Sequence, residues 1–397
     1  MAGGSPKREF YIATPEEIHS GQTSDIYFFR TLDVLKKAGK HRTKVLMETT
    51  VQILPDAWPW AVFSGVSEAV ALLRGKAVDV RALPEGTLFA AKTPRGIPVP
   101  VLTIEGPYAE FCIFETPVLG FRCESSGIAT KAARFRAAAG DRRVISFGIR
   151  RMHPALAPLI ERCVYIGGLD AVTTPLGAEM LGKEPVGTMP HALTIVMGGP
   201  REAFRALQKH LEKKVPRIAL ADTYYDEKTE SIIAAEEIKD LAGVRLDTPS
   251  SRRGNFAAIV REVRWELDLR GHKDAKIYVS GGLDETSIPA LAEAGADGFG
   301  VGTSLSNAPT VDFAMDIVER EGKPAAKRGK FGGRKEPLRC GKCGTLEIGA
   351  TKCPSCGGKM YPALVTYLED GKPVEDVPGP DAIRKYVLSQ LATRAAG

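Results

Sequence analysis

Two sets of residues in this chain have types and spacings that could do chemistry. The first is a quartet of thiols. "CGKC" and "CPSC" place Cys340, Cys343, Cys353 and Cys356 in two C-x-x-C turns. Two such turns aim four sulfurs at one centre, the tetrahedral all-thiolate site of a zinc ribbon or knuckle. Gly341, Gly344 and Pro354 suit the tight turns around a metal. Four protein ligands leave no open coordination position, so zinc is expected here as a structural ion, with iron–sulfur and disulfide readings as alternatives. The second set is more dispersed. In "VSGGLDETSIPALAEAGADGFGVGTSL" (279–305), Ser280-Gly281-Gly282 and Gly300-Val301-Gly302-Thr303 each follow an apolar run. Such turns either change the direction of the chain or let bare backbone N–H groups close on a phosphate. Asp222, Arg245 and Asp247 also stand where apolar runs finish.

These residues need a scaffold that gathers strand ends. After about residue 125 the sequence alternates strand and helix: "RRVISFG" (142–148), "RIALAD" (217–222), "GVRLD" (243–247), "AKIYVS" (275–280) and "ADGFGVG" (296–302) are separated by helical patterns. In the segment 254–270, Phe256, Ile259, Val260, Val263 and Leu267 form one stripe, the spacing of a helix packed on a sheet. Alternation of this kind means a buried parallel sheet. We favour closure into an irregular, TIM-like βα barrel, whose strand ends meet at one mouth; an open sheet would spread them along an edge. Two Gly-rich turns on adjacent strands of a barrel favour the phosphate cradle over simple corners.

The N-terminal part reads differently. "TPEE" (14–17) is a capping box and helix start, and 23–40 is a second helix. From 44 to 115, short β-rich runs alternate with Pro/Gly turns around one helix, "SGVSEAVALLRG". The expected fold class is therefore α/β, with an α+β N-terminal domain (1–124), a βα-barrel domain (125–322), and a basic linker with a small C-terminal zinc knuckle or ribbon (323–397). A length of 397 residues agrees with two or three domains. The net charge of +6 is modest, and its basic clusters at 251–256 and 323–335 suit a phosphorylated substrate, nucleic acid or a solvated surface. No apolar run is long enough for a membrane span, and "MAGGSPKREF" lacks the core of a signal peptide, so a cytoplasmic location is expected. Cys112, Cys123 and Cys163 are scattered and read as small apolar residues.

Several stretches resemble the nicotinate phosphoribosyltransferases, particularly their archaeal branch. They are "TSDIYFFRT" (23–31), "SFGIRRMHP" (146–154), "GTMPHALTIVMG" (187–198), "VRLDTPSSRRGNF" (244–256) and the glycine segment quoted above. "SSGIATKAARFRAAAG" (125–140) is similar to the barrel-entry helix of the quinolinate phosphoribosyltransferases. The resemblance runs from about residue 10 to 330. It implies condensation of nicotinate with phosphoribosyl pyrophosphate to nicotinate mononucleotide and pyrophosphate, in NAD synthesis. The nucleophile is the pyridine nitrogen of the substrate, so the protein supplies positioning and charge control.

By this resemblance Arg245, Asp247 and His191 carry the catalytic work, with Arg245 and Asp247 reaching the sugar and its phosphates. Ser280, Gly281, Gly282, Gly302 and Thr303 would cradle the 5′-phosphate. Phe147 and Tyr27 would sandwich the pyridine ring, Tyr27 coming from the partner subunit of a homodimer or higher homo-oligomer with a shared site. Arg150 would hold the carboxylate, with Arg151 sharing the work or bridging to the next helix. Alternatives are core packing for Tyr27 and Phe147, and helix caps for Asp222 and Asp247. Asp170 matches a loop near the ring, where a carboxylate would repel the anionic acid. The basic stretch 327–335 resembles one that touches phosphates in relatives, with Lys330 the candidate, or serves as a linker. His191 aligns with a histidine phosphorylated by ATP in many members. The context "PHALTIV" lacks the tryptophan of ATP-using relatives, and ATP-linked, ligase-type coupling is left open. Magnesium is expected to arrive on phosphoribosyl pyrophosphate, with no dedicated ligands. The resemblance also extends to a C-terminal knuckle. Two rival readings are a decarboxylating quinolinate phosphoribosyltransferase and a zinc-ribbon nucleic-acid-binding protein. Neither membrane nor nucleic acid is the expected partner.

Overall fold

The computed structural model describes residues 8–395. The first seven residues, part of the stretch read as lacking a signal peptide, lie outside them. The chain forms two compact units, one contiguous, Ile128–Ala308, and one discontinuous, Met1–Gly127 with Pro309–Gly397.

In the contiguous unit five parallel strands lie in the order Arg143–Ser146, Gly298–Val301, Lys276–Val279, Leu241–Leu246, Arg217–Leu220. Ala171 adds a parallel bridge to Ile145 beyond the first strand. The segments Arg217–Leu220 and Gly298–Val301 are buried along their whole length, as a sheet covered on both faces requires. The helices Ala157–Ile166, Pro200–His210, Glu227–Glu237 and Phe256–Leu269 supply that cover. In the last of these Phe256, Val260, Val263 and Leu267 are buried as the stripe predicts, while Ile259 is only half-buried. Burying those four apolar side chains contributes on the order of 1.5–3 kcal/mol each before conformational costs. This is the barrel-like α/β arrangement expected from the alternation.

The discontinuous unit is α+β. Its seven-stranded antiparallel sheet runs Lys323–Pro324, Phe313–Arg320, Lys44–Val51, Leu102–Pro107, Asp79–Ala82, Val365–Glu369, Lys372–Pro373. On one face Val45, Met47, Val51, Val80, Leu102, Ile104, Phe313 and Met315 join a single apolar core. The cross-strand neighbours Glu48 and Asp316 are buried carboxylates. Lys335 lies 2.8 Å from Glu48, while Lys327 (2.6 Å) and Lys330 (2.8 Å) hold Asp316. Arg334 pairs with Glu105 at 2.6 Å. The basic stretch is thus folded against acidic groups of this sheet.

A three-stranded sheet, Leu346–Ile348, Pro337–Cys340, Met360–Pro362, carries the cysteines. The helix Pro380–Ala395 fastens it through Gln390. That side chain accepts from Arg339 and the Leu88 N–H, both at 3.0 Å, and donates to the Gly86 carbonyl at 2.9 Å.

Candidate active site

The parallel strands deliver their following loops to one place in the contiguous unit. Arg245, at the end of Leu241–Leu246, has a largely buried side chain and aims its two terminal nitrogens at three neighbours. It reaches the Ser280 hydroxyl (3.1 Å), the Met189 carbonyl (3.1 Å) and the Asp247 carboxylate (3.2 Å). Ser280 is buried and donates to Asp247 at 2.6 Å. The Arg245 guanidinium also lies 5.5 Å from the centre of the Phe147 ring, within cation–π range. Phe147 is held by its own N–H, which donates to the Val301 carbonyl at 2.7 Å. Two adjoining strand ends, the Met189 carbonyl and one aromatic therefore meet around one guanidinium.

His191 begins the helix His191–Met197 and faces this group. Its Nε2 is 3.6 Å from Asp247 and 3.8 Å from Asp222, and its Nδ1 is 3.1 Å from the Thr223 hydroxyl. The two carboxylates are tuned in opposite directions. Burial pushes Asp222 up to about 6, although His191, Thr248 and Arg245 oppose this. Burial acts on Asp247 in the same sense, but His191, Arg245 and Ser280 outweigh it and hold the group below the usual carboxylate range. The contact with Asp247 raises His191, Asp222 adds to the rise, and burial and Arg245 resist it. One acid poised near neutrality beside one that stays ionised is an arrangement in which chemical roles can be divided.

The glycines shape the rim. Gly281 has φ +90°, and a Cβ there would stand 2.6 Å from the Asp247 carbonyl oxygen. Arg253 donates to the carbonyls of Thr248 (2.6 Å) and Gly281 (2.9 Å), tying the two loops together. Gly282 is exposed, with open space where a Cβ would be, so its backbone faces solvent. Gly302 precedes the short helix Thr303–Ser306, with Thr303 exposed. Gly300 has a different task. A Cβ on it would fall 2.2 Å from a Phe147 ring carbon, so its bareness makes room for that ring.

Other expected residues sit on further elements. Arg150 and Arg151 lie on the exposed turn Ile149–Arg151. Tyr27 belongs to the discontinuous unit, exposed on the helix Ile26–Lys37 with its ring 4.2 Å from that of Phe28. Lys330 is engaged with Asp316 in that same unit. Asp170 serves packing: it accepts from Arg136 (2.7 Å) and from the Val144 N–H (2.9 Å), at the start of its strand and away from the mouth. Sequence reasoning missed the residues that hold the loops, Glu230, Glu161 and Arg253, and read Gly300 as part of a phosphate turn rather than as room for a ring. The available signal was physical: a loop with several consecutive unpaired N–H groups must find an acceptor.

The cysteine quartet assembles as its spacing demands. Its four Sγ atoms lie within 4.8 Å of one another, with contacts of 3.3 Å between Cys343 and Cys356 and 3.5 Å in the pairs Cys340–Cys356 and Cys343–Cys353. Sulfurs bound at about 2.3 Å to a tetrahedral zinc sit about 3.8 Å apart, so this donor set fits that ion after a small expansion.

A forked cation, glycine turns and an aromatic face at the ends of parallel strands could hold an anionic group beside a flat ring. Comparison with known proteins agrees in kind. The family models of the quinolinate phosphoribosyl transferase N-terminal and C-terminal domains match residues 25–126 and 128–316. A nicotinate phosphoribosyltransferase (pncB1) of Mycobacterium tuberculosis is 36% identical over 278 residues, 66% of this chain and 59% of that protein. A second one (pncB2) is 31% identical over 334 residues, 79% of this chain and 68% of that protein. The match thus spans under two thirds of the first relative's length. The crystal structure of nicotinate-nucleotide pyrophosphorylase from Pyrococcus furiosus has a TM-score of 0.92 and 49% identity, covering 98% of this chain and 99% of that one. The human nicotinic acid phosphoribosyltransferase, at 20% identity and TM-score 0.74 over 93% of both chains, shares the fold. This chain belongs to the nicotinate/quinolinate phosphoribosyltransferase superfamily.

Proposed function

We propose that this protein is a nicotinate phosphoribosyltransferase, joining nicotinate to phosphoribosyl pyrophosphate with release of pyrophosphate. The observation that carries the reading is the cluster of Arg245, Asp247, Ser280, His191 and Phe147 at adjoining strand ends. The pyridine nitrogen attacks the anomeric carbon as the bond to pyrophosphate breaks, and positive charge gathers on the sugar. The ionised Asp247 accepts from ribose hydroxyls and balances that charge, while Arg245 steadies phosphate oxygens and is kept in place by Ser280 and Met189. The backbone of Gly281, Gly282 and Gly302, with Ser280 and Thr303, receives the 5′-phosphate. Phe147 stacks on the ring and Arg150 meets the substrate carboxylate; Tyr27 of a partner subunit closes the other face, making the enzyme a homodimer or a multiple of it. Magnesium travels on the diphosphate, and a zinc ion held by the four cysteines is structural. His191 contacts phosphate, and a labelled phosphoenzyme after incubation with ATP would extend its role to ATP coupling. No described helix is long and apolar enough to cross a membrane, which suits the proposed work in the cytoplasm.

A second reading, the decarboxylating quinolinate reaction, is favoured by the name of the matching family models. One experiment separates the two: nicotinate, nicotinamide and quinolinate are each supplied with phosphoribosyl pyrophosphate, and mononucleotide and carbon dioxide are followed. Product from nicotinate alone supports the main reading. Carbon dioxide from quinolinate transfers the assignment, and silence from all three ends both. The nucleic-acid reading loses force because Lys327, Lys330, Arg334 and Lys335 are already neutralised by carboxylates. A salt-sensitive gel shift at low ionic strength would restore it.

A further inference from the structure

Glu230 is fully buried in the helix Glu227–Glu237, which follows the strand Arg217–Leu220. Its carboxylate accepts four consecutive main-chain N–H groups. Oε2 takes those of Asp222 and Thr223, both at 2.9 Å, and Oε1 those of Tyr224 (2.6 Å) and Tyr225 (3.0 Å). Asp226 caps the same helix through the Thr229 N–H at 2.8 Å, fixing its first turn. Four donors on one carboxylate saturate its lone pairs and compensate its charge, so the loop cannot shift without stranding a buried anion. Both contacts that this loop makes with His191 depend on that cage: Thr223 at 3.1 Å on Nδ1 and Asp222 at 3.8 Å from Nε2. An amide would not replace it, since Gln offers one acceptor oxygen where four N–H groups converge.

We propose that Glu230 is a positioning residue for the transfer reaction, holding the main chain of 222–225 so that Asp222 and Thr223 grip His191 from two sides. The proposal rests on the reading of the mouth given above. A structural comparator exists in the same unit. Glu161, also fully buried, accepts the N–H groups of Thr173 (2.8 Å) and Thr174 (2.9 Å) together with both their hydroxyls. It braces a loop that has no such contact with His191. The pair thus separates the general cost of losing a buried carboxylate from the specific effect on the histidine.

The test uses full-length protein, with NMR titration of ring-labelled histidine and His191 assigned from a His191→Gln variant. In the wild type His191 titrates above its ordinary range because Asp247 and Asp222 face it, against Arg245. Glu230→Gln is expected to lower it toward that range as Asp222 loses its hold. In turnover assays kcat falls about 10-fold while KM for phosphoribosyl pyrophosphate changes far less. Glu161→Gln lowers stability and leaves the His191 titration in place. In a His191→Gln background, Glu230→Gln adds no further loss of kcat, since the two act through one path. An unchanged His191 titration and kcat in Glu230→Gln, or fully additive losses, overturns the proposal. A wild type that forms no mononucleotide overturns the functional reading and this proposal with it, whereas an active wild type with an indifferent Glu230→Gln overturns the proposal alone. Should Glu230→Gln not fold, Thr223→Val tests the same relay from its far end with the cage intact: both the titration and kcat must change, and wild-type values for both overturn the proposal.

Discussion

Asp222 and Asp247 end neighbouring strands and carry the same functional group, yet their surroundings drive them apart. Asp222, left with burial as its main influence, is poised about pH 6, and Asp247, facing His191, Arg245 and Ser280, stays ionised. The rate should therefore fall as pH drops through about 6, where Asp222 takes up a proton and one of the two charges facing His191 is lost. Asp222→Asn should have a kcat/KM profile without that limb. Linkage gives a second readout. A carboxyl whose folded pKa is raised contributes stability below its unfolded pKa, near 4, and loses it as pH rises through about 6. Melting curves should thus show Asp222→Asn gaining on wild type between pH 4 and pH 8. Arg245→Ala should lower kcat by roughly 10²–10³-fold, the scale of a lost charge-stabilising donor, with metal content by mass spectrometry unchanged. At this scale the sequence exposed what stands at strand ends, such as Arg245, Asp247 and Ser280. It hid Glu230, because a glutamate within "DEKTES" looks like any solvated helix residue until the loop above it is seen to lack acceptors.

The elements were legible where one short-range rule governs them. The Thr14–Glu17 capping box forms as written, and four of the five stripe residues on Phe256–Leu269 are buried. Strand partners were not legible. Lys44–Val51 pairs with Phe313–Arg320, about 270 positions later, and no local periodicity carries that information. The role of Gly300 was missed for a related reason: the ring it admits comes from another strand's end. Gly300→Ala should push Phe147 off its seat and cost roughly 1–3 kcal/mol by overpacking, read as a lower urea midpoint. KM for the pyridine substrate should rise at the same time. Gly281→Ala meets both strain at φ +90° and the Asp247 carbonyl, so its midpoint should fall by a similar amount.

For the molecule as a whole, the thiol quartet belongs to the discontinuous unit, and its loss should be felt there. One zinc per chain is expected by elemental analysis. Chelation should lower Tm and speed amide exchange in residues 337–362, where the small apolar cluster of the three short strands is centred on Cys340, Cys353 and Met360 and only Leu346 reaches the main core. Exchange in the parallel strands Arg217–Leu220 and Leu241–Leu246 should be unaffected; a uniform loss of protection would mean that the ion does more than staple the knuckle. The quartet was readable because metal spacing is a local rule, whereas its attachment through Arg339 and Gln390 is a long-range event.

The interleaving of both ends of the chain in one antiparallel sheet has a consequence during synthesis. Once residue 308 has emerged from the ribosome, every strand of the parallel unit is free and that unit can already close. The strand at 44–51 has by then found only its neighbour at 102–107 and still presents a bare edge, waiting for 313–320. The usual order of N-terminal portions folding first is therefore inverted for this nascent polypeptide. The segment made earliest is the one left longest in need of chaperones.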